Sequence, residues 1–115
     1  MRSKGNAPNK KQVRWREEVR SLGSILSGEN AIIHHCAGAS AVHRKVALGH
    51  EWILPLTYNE HWILHKDLPY MRELVDMPGA SRKEIEKHLF EKVVYRLGVE
   101  QIGREVYESI MDYRI

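Results

Sequence analysis

Apolar residues near the N-terminus recur at helical spacing. The segment from residue 9 to residue 22 carries Trp15, Val19 and Leu22 on one helical face, and Gly23 follows as a typical C-terminal stop. This pattern predicts an amphipathic helix that packs one face against a core and leaves the other to solvent.

Two short β-prone runs follow this helix. They are AIIHHC (31–36) and WILPL (52–56), and Pro55 in the second run is expected to mark the point where strand pairing ends. The intervening segment, 37–51, is rich in small and polar residues, which predicts a loop.

The second half of the chain has helical periodicity. YNEHWILHKDL (58–68) returns to helical spacing, and Ser81 with Glu84 has the form of a capping box that opens a helix ending at Gly98. A last helix is predicted from apolar residues at Val99, Ile102, Val106 and Ile110. The apolar faces of the last two helices are assigned to the core, with a homodimer seam as the alternative. One helix, two strands and three helical pieces predict a small α+β domain.

Composition places the chain among ordinary globular proteins. It has 115 residues, 43% of them hydrophobic and 29% charged, which suits one domain with a modest core. No apolar run approaches the roughly 20 residues that span a bilayer, and the first residues do not form a secretory signal, so no membrane partner and a cytoplasmic location are expected. The single cysteine, Cys36, excludes an internal disulfide and a thiolate-rich zinc cluster.

Positive charge is concentrated at the N-terminus. Residues 1–20 carry seven basic and two acidic side chains, whereas the net charge of the whole chain is only +3. Residues 1–8 are predicted to be a flexible basic arm. A basic arm on a near-neutral body suits a polyanion such as nucleic acid, and a merely solvated tail is the alternative.

Six of the seven histidines fall between positions 34 and 65. His61 and His65 stand four residues apart on a predicted helix, so their rings lie on one face, one turn apart. Neutral imidazole is the commonest protein ligand for zinc and similar ions, and His34 on the preceding strand could close a triangle. Because neighbours on a strand point to opposite faces, His35 is expected to face the substrate instead. The alternative is a set of unrelated, satisfied polar side chains.

The order of these features resembles a known family. HH closes a strand, a loop follows, a second strand reads ILPL, and a helix reads NEHWILH. This arrangement resembles the HNH (ββα-metal) nucleases, and more narrowly the phage recombination-enhancement nuclease group, whose pattern runs CxxC…HH…G(D/N)…IPLCxxHH. The similarity covers about residues 15–66. It implies a ββα-metal core at about 30–67 and a helical C-terminal part at 68–115, within one domain at 9–115.

The resemblance implies a role for each histidine of the motif. His34, His61 and His65 match the ligands of one divalent metal ion, which could be Zn, Mg, Mn or Ni. His35 matches the general base. His50 stands where the group has Asp or Asn to orient that base, with Glu51 as the alternative.

The chain departs from the group at four other positions. Ser24 and Ser27 replace the CxxC cysteines, Thr57 replaces the later cysteine, and Glu60 replaces the histidine three residues beyond it. No structural zinc is therefore expected, and core packing would have to hold the fold.

The resemblance implies a metal-dependent endonuclease that hydrolyses DNA phosphodiester bonds. It also implies a phage or prophage origin, a role in recombination or DNA processing, and a recombination protein as partner. The expected phosphate contacts are Arg44 and Lys45 in the loop, with Lys10, Lys11, Arg14 and Arg16 near the N-terminus.

Three alternatives to this nuclease hypothesis are open. The first is a DNA-binding module that keeps the fold without turnover. The second is a metal-binding regulatory protein whose histidines sense or store an ion. A Cys36–histidine nucleophile is the third, and it is disfavoured because strand neighbours point apart and a small buried cysteine is commoner.

Overall fold

The computed structural model describes residues 7–36, 42–43 and 46–112. Within these ranges the chain forms five α-helices and four short β-strands. The helices are α1 (Lys10–Leu22), α2 (Tyr58–Lys66), α3 (Leu68–Val75), α4 (Arg82–Leu97) and α5 (Arg104–Asp112). The strands are β1 (Ile32–His35), β2 (Val42–His43), β3 (Val46–Ala47) and β4 (Ile53–Leu56). This arrangement confirms a small α+β domain, and its radius of gyration of 13.6 Å matches the about 13 Å expected for one domain of this length.

Helix α1 begins and ends as its sequence predicts. Asn9 and Gln12 form a reciprocal capping box, and the helix buries Trp15 and Val19. Gly23 follows with φ +83°, and a Cβ at this position would lie only 2.8 Å from the carbonyl oxygen of Gly28. The chain can therefore turn sharply after α1 because glycine occupies this position.

Strands β1 and β4 pair antiparallel, and the predicted end of pairing at Pro55 is wrong. Pro55 lies opposite Ile33, and the pairing continues to Ile32 opposite Leu56. In an antiparallel pair every second residue points its N–H and C=O away from the neighbouring strand. The Pro55 carbonyl accepts a hydrogen bond from the backbone N–H of Ile25 at 3.0 Å, so its missing N–H falls on the side that does not face β1.

The segment predicted as a loop contains two short strands. β2 and β3 pair antiparallel, with Val42 opposite Ala47 and His43 opposite Val46. Each strand has only two residues, which is too short for an alternating apolar pattern to reveal it in the sequence.

The C-terminal half is helical, with two departures from prediction. Ser81 and Glu84 form the predicted capping box, and α4 ends before Gly98 as expected. The structure has an additional helix, α3, with Pro69 in its first turn. The N–H groups of a first turn have no partner within the helix, so a proline there removes no helical hydrogen bond. The last predicted helix is divided into a 3₁₀ turn at Val99–Gln101 and α5, because Gly103 between them has φ +91°.

The core lies where α1 and α4 pack against β4. All four residues of β4 are buried, and α1 and α4 cover the strand together with the start of α2. The largest fully buried side chains are Trp15, Leu48, Trp52, Ile53, Leu54, Leu56, Leu64, Met71, Ile85, Leu89, Phe90 and Ile110. Of the helices in the described residues, none has the length and apolar character needed to cross a bilayer.

Candidate metal centre

Three histidines from two elements meet beside the β1–β4 pair. One ring nitrogen from each of His34, His61 and His65 lies within 4.8 Å of the other two. The ring centroids of His34 are 5.0 Å from His61 and 5.2 Å from His65, and those of His61 and His65 are 4.6 Å apart. The structure thus brings together the three side chains that the sequence singles out as ligands, at separations from which small ring movements could reach one ion.

Local structure explains why these rings face each other. β4 ends at Leu56, and Thr57 caps α2 at once through a reciprocal box with Glu60, so α2 leaves the strand in a fixed direction. His61 and His65 then lie one turn apart on the same side of α2. Alternation along β1 buries His34, with 2% of its surface exposed, and leaves its neighbour His35 exposed.

A buried carboxylate stands behind His34. Glu86 on α4 is completely buried, and its Oε2 lies 2.7 Å from Nε2 of His34. Where the carboxylate accepts, Nε2–H of His34 donates, and in the tautomer with that single N–H the other ring nitrogen, Nδ1, has a free lone pair. Metal-binding histidines commonly carry such a carboxylate partner, which fixes the ring and raises its basicity. Glu86 is a functional candidate that lies 52 residues from His34, and no local sequence pattern marks it.

Two cations of α4 accompany this carboxylate. Arg82 Nε lies 3.5 Å from Oε2 of Glu86, and Lys83 Nζ lies 3.4 Å from its Oε1. Arg82 also places a guanidinium nitrogen 3.0 Å from Nδ1 of His65. Arg82 thus brings positive charge to the histidine cluster itself. A cation bound by the cluster would be repelled by this charge.

A second set of potential ligands shares His34. Ligand atoms of His34, Cys36 and Glu86 also lie within 4.8 Å of one another, and all three residues are buried. Burial raises the pKa of the Cys36 thiol well above its usual value, and the nearby Glu86 charge raises it further. Because metals bind the thiolate, this set is poorer than the three imidazoles. The raised pKa also weakens Cys36 as a nucleophile.

The two histidines at the exposed edge of the cluster, His61 and His65, have lowered pKa values. Burial lowers the pKa of His61 and of His65, and His34, whenever its ring is protonated, and Arg82 lower both further. A neutral ring offers a lone pair, which a protonated ring lacks. Both rings are therefore favoured in the neutral form at neutral pH, but Arg82 donates to the lone pair of His65 Nδ1, so that ring binds an ion only after this contact is given up.

The surroundings of His35 favour its neutral form. Partial burial lowers its pKa, and positive charge on His34, His50 and Arg16 lowers it further. These charges all act in the same direction, against protonation of His35.

Glu51, the alternative residue for orienting the base, has a different partner. Its Oε2 accepts a hydrogen bond from Nε2 of Gln12 at 2.9 Å, and its backbone carbonyl accepts one from Nε1 of Trp15 at 3.0 Å. Both contacts tie the turn before β4 to α1. Glu51 therefore fastens the N-terminal helix; of the two residues His50 is the one that lowers the pKa of His35, and this is an effect of like charge that does not orient the ring.

The four positions that depart from the family pattern also lie together. Ser24 donates its hydroxyl proton to Glu60 at 2.6 Å, and Thr57 donates its backbone N–H to the same carboxylate at 2.8 Å. The Ser24 oxygen accepts the backbone N–H groups of Leu26 and Ser27, each at 3.0 Å. A network of hydrogen bonds thus joins the loop after α1 to the start of α2, at the place where the family pattern has four metal ligands.

The expected phosphate contacts are only partly described. Lys10, Lys11 and Arg14 are exposed on α1, and Arg16 is half-buried. Arg44 and Lys45 lie outside the described residues, as do positions 1–6 of the predicted arm. Arg82, which the sequence does not single out, is the cation whose contact with the histidine cluster the structure describes.

Comparisons with family models, with curated proteins and with solved structures found no match to this chain. The resemblance to HNH nucleases therefore rests on the motif residues alone.

Proposed function

We propose that the protein is a metal-dependent endonuclease of the HNH type that hydrolyses DNA phosphodiester bonds. The observation that carries this proposal is the convergence of His34, His61 and His65, with His35 next to His34 in sequence and within reach of its charge. The association with phage recombination and with a recombination partner belongs to the proposal too, and it rests on the resemblance alone.

The chemistry of the donor set fits one divalent ion. Three imidazoles leave coordination positions open for water and substrate, as a catalytic metal site requires. Nitrogen donors suit zinc or nickel better than magnesium or manganese, which prefer oxygen ligands. The carboxylate of Glu86 holds His34 with one lone pair free, and burial keeps His61 and His65 neutral, so the residues present fit such an ion.

The remaining residues supply the other parts of a hydrolysis. A bound divalent ion would act as a Lewis acid on the scissile phosphate and its leaving oxygen. His35 accepts the proton of the attacking water, since an imidazole with a lowered pKa is unprotonated near pH 7. Arg82, half-exposed beside His65, holds phosphate oxygens and offsets negative charge in the transition state. The exposed cations of α1 bind the DNA backbone without reading its sequence.

Nicking of supercoiled plasmid tests this function. The metal-free protein is supplied in turn with Mg²⁺, Mn²⁺, Zn²⁺ or Ni²⁺, and wild type is compared with His35→Ala and His61→Ala. Loss of a general base slows a reaction by about 10²–10⁴-fold, so His35→Ala should nick at least 100-fold more slowly with the working metal. His88→Ala is the matched control, because His88 lies on α4 away from the cluster and lines a different cavity.

Two results would contradict the proposal. Equal nicking by wild type and His35→Ala with every metal would remove His35 as the base. Retention of DNA binding by the wild type, with cleavage of neither the plasmid nor a single-stranded DNA under any of the four metals, would favour the inactive DNA-binding module instead.

A further inference from the structure

Helix α2 presents two large aromatic side chains to solvent. Tyr58 is 76% exposed and Trp62 is 51% exposed, although tryptophan is usually well buried in folded proteins. The two residues are four positions apart, so they lie on the same side of the helix. Their Cα atoms are separated by about 6 Å along the helix axis, which is close to two base-stacking distances of about 3.4 Å.

This aromatic pair shares a cavity with the candidate metal ligands. A surface cavity of about 380 Å³ is lined by Tyr58, His61, Trp62, His65 and Lys66. On the helix, the Tyr58–Trp62 row runs directly beside the His61–His65 row. Whatever occupies this cavity therefore touches both the aromatic rings and the histidine cluster.

The charge of the cavity identifies the kind of occupant. Its described lining contains a lysine and two histidines and no carboxylate. Arg82 adds a further cation through its contact with His65. Flat aromatic surfaces next to positive charge are the combination that binds single-stranded nucleic acid, because bases stack on the rings while phosphates meet the cations.

We propose that Tyr58 and Trp62 form a stacking platform for unpaired bases, so that the DNA held at the histidine cluster is single-stranded. In a duplex each base face is covered by its neighbours, whereas unpaired nucleotides expose theirs. The platform positions the strand so that a phosphate next to the stacked bases lies at His61 and His65. The inference rests on the proposed function for its choice of DNA as ligand, and it adds the strandedness of the substrate.

Tryptophan fluorescence gives a direct readout of stacking. The chain has three tryptophans, and Trp15 and Trp52 are 1% and 0% exposed, so quenching by a ligand reports on Trp62. An oligothymidine of about 12 nucleotides, within the usual site size, is titrated into the full-length metal-free protein with EDTA present to prevent cleavage. We expect quenching in wild type and none in Trp62→Phe, which keeps a ring for stacking but removes the indole.

The second measurement compares the affinity of the protein for a labelled form of the same oligothymidine with its affinity for the corresponding duplex. Stacking contributes about 1–3 kcal/mol per base, so Trp62→Ala should weaken single-strand binding by about 5- to 150-fold. Duplex binding should change much less. Tyr95→Ala is the matched control, because Tyr95 is an aromatic residue of α4 that is 90% exposed and does not line this cavity.

The outcomes separate this inference from the proposed function. Absence of Trp62-dependent quenching, or equal losses in Trp62→Ala and Tyr95→Ala, would overturn the platform even if plasmid nicking is observed. Equal weakening of single-strand and duplex binding would overturn it as well. Quenching and a selective loss in Trp62→Ala would support the platform even if no metal activates cleavage of the plasmid or of the single strand, in which case the nuclease proposal alone would fall.

Discussion

Substitution of Glu86 by glutamine tests whether the buried carboxylate supports a metal ligand. Glu86 is completely buried, accepts a hydrogen bond from His34 at 2.7 Å and lies within 3.5 Å of both Arg82 and Lys83. A glutamine has nearly the same shape, and its amide oxygen can still accept from His34. The substitution therefore removes the negative charge, and with it the increase in basicity that a carboxylate gives to a ligating imidazole.

The expected effect on metal affinity is large enough to measure by two methods. Loss of such a carboxylate partner typically weakens metal binding by 10- to 100-fold, or about 1.4–2.7 kcal/mol. At a metal concentration of 100 times the wild-type Kd, the ion stabilises wild type by about 2.7 kcal/mol, and the variant by only about 0.4–1.4 kcal/mol. Calorimetric titration with Zn²⁺ or Mn²⁺ measures the first quantity, and the metal-dependent rise in Tm measures the second.

The control and the refuting result use the same assays. Glu73→Gln removes a carboxylate from the exposed surface of α3 and should leave metal affinity unchanged. If Glu86→Gln folds and binds the ion as tightly as wild type, while His61→Ala has lost binding, the carboxylate does not support the site. If Glu86→Gln shows no unfolding transition without metal, Glu86→Asp replaces it. We expect Glu86→Asp to lose metal affinity as well, but by a smaller factor.

Three further predictions follow from individual contacts. Because the pKa of His35 is lowered, its ring stays neutral, and active as a base, at a lower pH than an ordinary histidine. The acid limb of kcat/KM against pH should therefore have its midpoint below about pH 6.5. A midpoint above that value would contradict the assignment of His35 as the base. Ser24→Ala removes the hydroxyl that donates to Glu60 and accepts two backbone N–H groups, so urea unfolding should show a loss of about 1–3 kcal/mol. Ser27→Ala, at an exposed position, should cost less than about 0.5 kcal/mol, and equal losses would refute the role of the network. Arg82→Ala should tighten metal binding at least about fivefold, because two unit charges about 4 Å apart repel by about 1 kcal/mol even in water and a divalent ion doubles this repulsion, and it should slow nicking. Weaker metal binding in calorimetry would show that the guanidinium instead supports the ligands.

The sequence predicts the fold wherever a local signal controls the structure. Capping boxes and apolar spacing give the bounds of α1 and α4 to within a residue or two. Prediction is wrong at Pro55, because whether a missing N–H matters depends on which side of the strand faces a partner. Prediction also fails at Gly103, where a single residue with positive φ divides an otherwise continuous apolar pattern.

The same distinction applies to the candidate site. The sequence identifies His61 and His65 because helical spacing puts them on one face. It identifies His34 because this residue lies near the end of a short strand. Glu86 and Arg82 come from α4, and only the packing of that helix against the strands brings them to the cluster. A buried carboxylate on an amphipathic helix has no local signature, so the residues that orient and charge the site emerge only from tertiary structure.

Hydrogen bonds at Ser24 support the candidate site at positions where the family pattern that it resembles has metal ligands. A structural metal would tie the loop after α1 to the start of α2 by coordination, and the fold would then depend on that metal. Here Ser24, Thr57 and Glu60 join the same two segments by hydrogen bonds, and the packing of α1 and α4 on β4 supplies the core. Covalent neighbours, these hydrogen bonds and packed side chains thus hold His61 and His65 in the described arrangement. Removal of divalent ions should consequently abolish nicking while leaving the helical circular dichroism spectrum intact, so that loss of the ion and loss of the fold can be observed separately.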